Sequence, residues 1–221
     1  MYHTVIIGGG CLGAATAVSL QRKLNSIGKG EKVCLIEKAV LCSAESSRHS
    51  GIVRSANADP DASMMANLSA KMWKNLSGIW GLKMELDEFG AIWIAKKNEN
   101  GENPAWSELA ERMKKIDLTF EEISSKSAVT KCGTTLITDE NESYFFEPGA
   151  FQLDPSILRS TLYNAIDANG VDLYEKTEVD SSIFKGNEIL GCTTNNGKFD
   201  AKNFVNATVA WSSQIFSKIG L

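Results

Sequence analysis

The chain has 221 residues, 43% hydrophobic, 23% charged and 8% aromatic, with a formal charge of −4 from 27 acidic and 23 basic side chains. A globular chain of this length buries roughly 70% of the surface its unfolded form exposes, so no disulfide or metal staple is required. The mild acidity argues against a dedicated nucleic-acid binder, and no apolar run reaches the roughly 20 residues of a membrane span.

In chain order, residues 4–7 are a β-branched run, the pattern of a buried strand. Gly8-Gly9-Gly10-Cys11-Leu12-Gly13 follows, then a small-residue-rich helical stretch over 14–24 that Gly28 and Gly30 break. Residues 32–37 are a second buried strand. Strand, glycine turn, helix and strand make a βαβ unit with a parallel sheet.

Residues 42–60 form a Ser-rich polar loop carrying Arg48, His49 and Arg54. Met65, Leu68, Met72, Leu76 and Ile79 recur at spacings of three and four, one face of an amphipathic helix. Met64, Met65, Met72, Trp73 and Trp80 are expected to pack in the core rather than hold a cofactor. A strand over 91–95, a surface helix over 104–116 and a solvated Glu121-Glu122 pair come next. Asp154-Pro155 starts a helix that Gly170 closes. Short strands over 171–174, 175–179, 182–185, 188–193 and 198–200 read as a β-meander. Lys185-Gly186-Asn187 and Asn195-Asn196-Gly197 are its hairpin turns. A last buried strand spans 204–207, with a helix over 211–219.

Met1-Tyr2-His3-Thr4 lacks the positive region of a signal peptide, so the sequons at Asn67, Asn75, Asn141 and Asn206 are expected to be chance. Five cysteines without a CxxC pair (Cys11, Cys34, Cys42, Cys132, Cys192) suit reduced thiols of a cytoplasmic protein. Two histidines, His3 and His49, are too few for a His-rich metal site, and no metal is expected.

Gly8-x-Gly10-x-x-Gly13 is a dinucleotide fingerprint. The first Gly allows a tight turn, the second lets backbone approach a pyrophosphate, and the third lets helix pack close to strand. The helix N-terminus, with Cys11 and Leu12 in its first turn, offers free N–H groups and partial positive charge to phosphates. Glu37 ends the next strand, 24 residues past Gly13, where a carboxylate accepts from both ribose hydroxyls and disfavours a 2′-phosphate. The polar loop and the β-meander favour FAD over NAD. Ser46, Ser47, Arg48, His49 and Ser50 supply hydroxyls, amides and charge for phosphate and flavin oxygens.

The segments VIIGGGCLG, CLIEK, SSRHSGIVRS, FEPGAFQLDPSILRSTL and FVNATVAWSS occur in this order. On them the chain resembles the FAD-dependent amine and amino-acid oxidoreductase family, which includes sarcosine oxidase, glycine oxidase, D-amino-acid oxidase and dimethylglycine dehydrogenase. Residues 48–95 look most like the β subunit of heterotetrameric sarcosine oxidase. The resemblance spans essentially the whole chain. It implies that Gly8, Gly10 and Gly13 hold the pyrophosphate and that Glu37 and Lys38 meet the adenosine ribose. By the same resemblance Ser47, Arg48, His49, Ser50 and Gly51 run toward the flavin ring, the Val179 backbone meets adenine, and Ala207, Thr208 and Trp211 form a cofactor-facing turn. It departs from the family at Val209, where a Gly is usual.

The implied fold is α/β. A Rossmann-like FAD-binding domain with a β-meander takes 1–85 and 148–221, and part of an inserted α+β substrate domain takes 86–147. The implied chemistry is oxidation of a C–N bond in a small amine or amino acid such as sarcosine, glycine or proline, by hydride transfer to flavin. Arg48 or His49 is the candidate cation beside the flavin carbonyl, and Arg54 is a candidate for a substrate carboxylate. No catalytic base stands out. The chain is expected to be an N-terminal portion of such an enzyme. One alternative is a non-catalytic chain that needs a partner subunit or the missing C-terminal portion to complete the FAD site. A second is an NAD-linked dehydrogenase.

Overall fold

A computed structural model describes residues 1–133, 135–186 and 188–218, with side chains to residue 215. In chain order its elements are β1 (Tyr2–Ile7), α1 (Cys11–Ser26), β2 (Val33–Ile36), β3 (Ile52–Val53), α2 (Pro60–Lys74), α3 (Leu76–Trp80) and β4 (Ala91–Lys96). Then come α4 (Pro104–Lys115), β5 (Glu121–Ile123), α5 (Ser125–Cys132), β6 (Glu142–Glu147), β7 (Phe151–Gln152) and α6 (Pro155–Asn169). Last are β8 (Asp172–Tyr174), β9 (Val179–Lys185), β10 (Glu188–Thr194), β11 (Gly197–Asn206) and α7 (Ser212–Lys218). Two compact units divide the chain: residues 1–49, 80–84 and 155–221, and residues 50–79 and 85–154.

The first unit is built on a six-stranded sheet of order β8-β2-β1-β11-β10-β9. β8, β2, β1 and β11 run parallel, while β9, β10 and β11 are antiparallel neighbours. β1 and β2 carry near-continuous apolar runs because both faces of the parallel part are covered. Val5, Ile7, Cys34, Ile36, Cys192 and Phe199 share one core cluster. On α1 the small residues Gly13, Ala14 and Ala17 are buried, together with Val18 and Leu24. Gln21, also buried, accepts from Val33 N (2.7 Å) and donates to Glu31 O (3.1 Å), which fixes where β2 begins.

The two strands expected over 198–200 and 204–207 are one ten-residue strand, β11. Residues 197–200 pair with β10 and residues 201–206 with β1, so a single strand serves both the meander and the parallel sheet. No strand forms over 175–178; the meander's first strand starts at Val179. Asn187 of one expected hairpin turn and Ile219 at the end of the expected last helix lie outside the described residues.

In the second unit β4, β6 and β5 form an antiparallel sheet, and β3 pairs with β7. α4 starts at Asn103, whose side chain accepts from Trp106 N, with Pro104 as the first helical residue. Its Leu109 and Met113 join Phe120 and Phe145 in a core that Trp93 and Trp106 edge. Trp93 and Trp106 meet edge to face at 5.5 Å, and Phe120 stacks on Phe145 at 5.3 Å.

α2 corrects an expectation. Three of the five positions of its predicted apolar face are at the surface: Met65 is 72%, Leu68 62% and Met72 53% exposed, and Met64 is exposed as well, while Leu76 is buried and Ile79 half-buried in the separate helix α3. Within α2 the buried positions are instead Ser63 and Ala70, seven residues apart. Ser63 Oγ donates to the Asn57 and Asp59 carbonyls, a close approach that only a small side chain permits. Of the residues expected in the core, Trp80 is buried and Trp73 half-buried. Among the described residues no helix is long and apolar enough to cross a membrane.

Candidate functional site

The carboxyl ends of β1, β2 and β11 open onto a cavity of about 360 Å³ in the first unit. Crevices at the carboxyl ends of parallel strands are where α/β sheets bind ligands, and the volume lies in the range of small-molecule sites.

The glycine loop forms one wall. Gly8 leaves β1 with φ +110°, and a Cβ there would stand 2.8 Å from the Ala207 carbonyl oxygen. A Cβ on Gly13 would stand 1.9 Å from the Gly8 carbonyl oxygen, so α1 rests directly on the turn that feeds it. Gly10 is less constrained; its Cβ would meet Ser46 Oγ at 3.2 Å. Gly9 is also held, because its Cβ would meet the Glu37 Cβ at 2.7 Å. The first helical amides have no intrahelical acceptor. Cys11 N donates to Ser46 Oγ (3.0 Å), while Leu12 and Gly13 N lie beyond the reach of any earlier helical carbonyl. No acidic residue sits in this first turn, so the positive end of the helix dipole is not neutralised from within.

Glu37 stands at the end of β2. Its Oε2 accepts from Gly9 N (2.7 Å) and its Oε1 from Ala39 N (2.8 Å). A carboxylate offers about four acceptor positions, so about two stay available toward the cavity, which Glu37 lines. Lys38 Nζ lies over the Trp211 ring, 5.1 Å from its centroid, and both residues line the same space. Thr177, Glu178 and Val179 form another wall, with Glu178 N donating to Asn195 Oδ1 (2.8 Å).

The turn after β11 closes the ring. Ala207 N donates to Ile7 O (2.8 Å), and Thr208 donates to Asn206 Oδ1 through N (3.0 Å) and Oγ1 (2.6 Å). Val209 follows with φ +46° and a side chain 68% exposed.

Of the residues named from sequence, Gly8, Gly10, Cys11, Leu12, Glu37, Lys38, Ser46, His49, Val179, Ala207, Thr208 and Trp211 line this one cavity. Gly13 sits behind it as the helix–strand contact. Ser47 and Arg48 do not line it; the Ser47 hydroxyl donates to Ala44 O (3.0 Å) within its own turn. Ser50 and Gly51 belong to the second unit. There Leu153 N donates to Gly51 O (2.9 Å), and Gly51 has φ +76° with a hypothetical Cβ 2.4 Å from Leu153 O. Arg54 is also in that unit, stacked over Trp93 at 4.4 Å with its guanidinium donating to Ala56 O (2.9 Å). Sequence reasoning missed Ala44, Glu45, Thr177, Glu178, Gln214 and Ile215 as lining residues. For Thr177 and Glu178 a signal existed, since they adjoin Val179; the others carry no motif. Gly9 was legible in the unbroken glycine run.

Residues 3–220 match the family profile described as FAD dependent oxidoreductase. The chain is 23% identical over 213 residues to the mitochondrial pyruvate dehydrogenase phosphatase regulatory subunit of Mus musculus, covering 96% of this chain and 23% of that protein. It is 24% identical over 225 residues to sarcosine oxidase subunit beta of Rhizobium meliloti (strain 1021), covering 100% of this chain and 52% of that one. The crystal structure of L-proline dehydrogenase from P. horikoshii superposes with a TM-score of 0.87 at 25% identity, covering 100% of this chain and 56% of that one. The chain thus spans about half the length of the last two relatives and about a quarter of the first.

Proposed function

The chain belongs to the FAD dependent oxidoreductase family, and from that premise we propose that it holds FAD for the oxidation of a small amine or amino acid. The observation that carries this is the convergence of the glycine loop, the α1 N-terminus and the Glu37 carboxylate on one cavity. The residues present fit an adenosine diphosphate group. Gly8 and Gly13 leave no room for a side chain, so the turn packs tightly against β11 and α1 starts directly on it, with Gly8 and Gly10 lining the cavity. An FAD family also stands against the NAD-linked alternative.

In this assignment the amides of Gly10 and Leu12, which line the cavity, meet the pyrophosphate at the positive end of α1. Ser46 Oγ, already on the Cys11 amide, stands beside the same group. Glu37 takes the ribose hydroxyls with its remaining acceptor positions and Lys38 flanks them. The Val179 backbone meets adenine. Ala207, Thr208 and Trp211 close over the phosphates. Of the two cations proposed for the flavin carbonyl, His49 is preferred over Arg48 because it lines the cavity, with Nε2 3.1 Å from Ser46 O. When bound, FAD supplies the acceptor for a hydride equivalent from the C–H bond beside the substrate nitrogen. Names such as sarcosine oxidase and L-proline dehydrogenase support a small amino-acid substrate. All five cysteines are free thiols, which supports a reducing compartment such as the cytoplasm.

Titration of the purified chain with FAD and with ADP tests the assignment. Uptake of FAD to give a yellow protein, with ADP competing, is expected; protein that takes up neither ends it. One observation favours a second possibility, a chain that needs a partner polypeptide: it spans 52% of a relative that is itself named a subunit. Turnover separates the two. An FAD-loaded chain that oxidises sarcosine, glycine or L-proline alone supports the enzyme. FAD uptake with no turnover until a second polypeptide is added supports the partnered form.

A further inference from the structure

Among the described residues, four that are not glycine have positive φ: Cys42, Asp117, Lys176 and Val209. Val209 alone of these is β-branched. At φ +46° its Cβ crowds the neighbouring carbonyl, and the second γ carbon removes the rotamers that would relieve the contact. The chain on either side is fixed. Ala207 N is bound to Ile7 O, Thr208 is bound twice to Asn206 Oδ1, and Trp211 N donates to Thr208 O (3.0 Å). The Asn206 Nδ2 atom in the same turn is buried without a hydrogen-bond partner.

Strain of this kind is usually offset by packing. Here the side chain is 68% exposed and lines the cavity. Burial of the valine therefore does not explain it. Val209 lines the same cavity as Gly10, Cys11 and Leu12 at the α1 N-terminus.

We propose that Val209 is an affinity-determining residue of the cavity, its branched side chain limiting how tightly the dinucleotide is held. This rests on the FAD assignment above. A bulky residue at this point favours exchange of the cofactor over its permanent retention.

The test uses three proteins: the unchanged chain, Val209→Gly and Val209→Ala. FAD and ADP dissociation constants are measured by calorimetry, and melting temperatures are measured without ligand. Val209→Gly is expected to bind FAD about tenfold more tightly and to melt about 2–4 °C higher. Val209→Ala trims the branch but keeps a Cβ at positive φ, so it gains affinity and melts between the other two. An unchanged chain that binds FAD with the same constant as Val209→Gly overturns the inference and leaves the FAD assignment standing. Failure of all three proteins to take up FAD or ADP overturns both.

Discussion

Glu37 in the cavity unit and Glu147 in the second unit both accept backbone N–H groups of a loop, but they differ in what remains available. Glu147 is 2% exposed and accepts from Ser55 N, Ala56 N (3.1 Å) and Trp93 Nε1 (3.1 Å). Its acceptor positions face protein donors in a closed space. Glu37 is half-buried, accepts from two amides and faces the cavity with the rest of its capacity. The same side chain therefore acts as a fastener in one unit and stands partly open to a cavity in the other. Enclosure, not residue type, separates the roles.

Removing the fastener has the largest expected effect. Glu147→Ala strands two buried amides and the part-buried Trp93 indole N–H and should lower stability by about 3 kcal/mol, a drop of roughly 6–12 °C in melting temperature. ADP affinity should stay constant, and Glu147→Gln, which keeps one acceptor oxygen, should lose less. A variant that melts normally but binds ADP poorly would break the contrast. Glu37→Ala should show the opposite profile. Its amides can turn to water, so the stability loss is about 1 kcal/mol, whereas ADP affinity falls about tenfold or more.

A thiol probe sharpens the comparison. Cys132 is exposed and Cys11 lines the cavity, while Cys34, Cys42 and Cys192 are buried. Burial pushes the Cys42 thiol up to about 12 and the Cys192 thiol up to about 11, from the ordinary 9.0. Iodoacetamide near neutral pH should therefore modify Cys132 and Cys11 first. ADP should slow modification at Cys11 several-fold and leave Cys132 unaffected, as peptide mass spectrometry can read; equal rates with and without ADP would place the ligand elsewhere.

The smallest effect is on alkaline stability. A thiol whose value is raised by folding stabilises the native state fully below its unfolded value. That contribution is lost as pH climbs from about 9 toward 11 and 12. Cys42 and Cys192 both lie in the cavity unit. Tyr144 of the second unit, also raised by burial, starts from an ordinary value of 10.0 and holds to higher pH. Melting followed by site-specific probes should show the cavity unit loosening first. A simultaneous loss in both units would contradict this ordering.

Glu37 was legible in the sequence because its partners are local to a motif: a glycine run, a helix and the end of the next strand. Glu147 was not, since its amide partners lie 91 and 92 residues away and no spacing rule connects them. The same division holds elsewhere. β1, α1 and β2 follow from contiguous patterns, and α4 and α6 from their helix-start signals. The α2 stripe had a clear period, yet periodicity marks a face without saying whether anything covers it. β11 read as two strands because the polar Lys202 and Asn203 interrupt its apolar pattern; pairing to neighbours on both sides keeps it continuous. In the loop after Ser46 the sequence pattern says nothing of the bond from Leu153 N to the Gly51 carbonyl, which joins residues 102 apart.

β1 and β11 are adjacent in the middle of the sheet, with Tyr2 opposite Ala201 and Ile7 opposite Asn206. The glycine turn is therefore shaped against a strand made almost 200 residues later in synthesis. Until that strand arrives, Gly8 has no Ala207 carbonyl to press against and the cavity has one side missing. Such a central, long-range parallel seam makes assembly slow and leaves β1 with an unsatisfied edge on a growing chain. The cavity is thus completed only after β11 is made, though the glycine turn that forms its first wall is translated near the start.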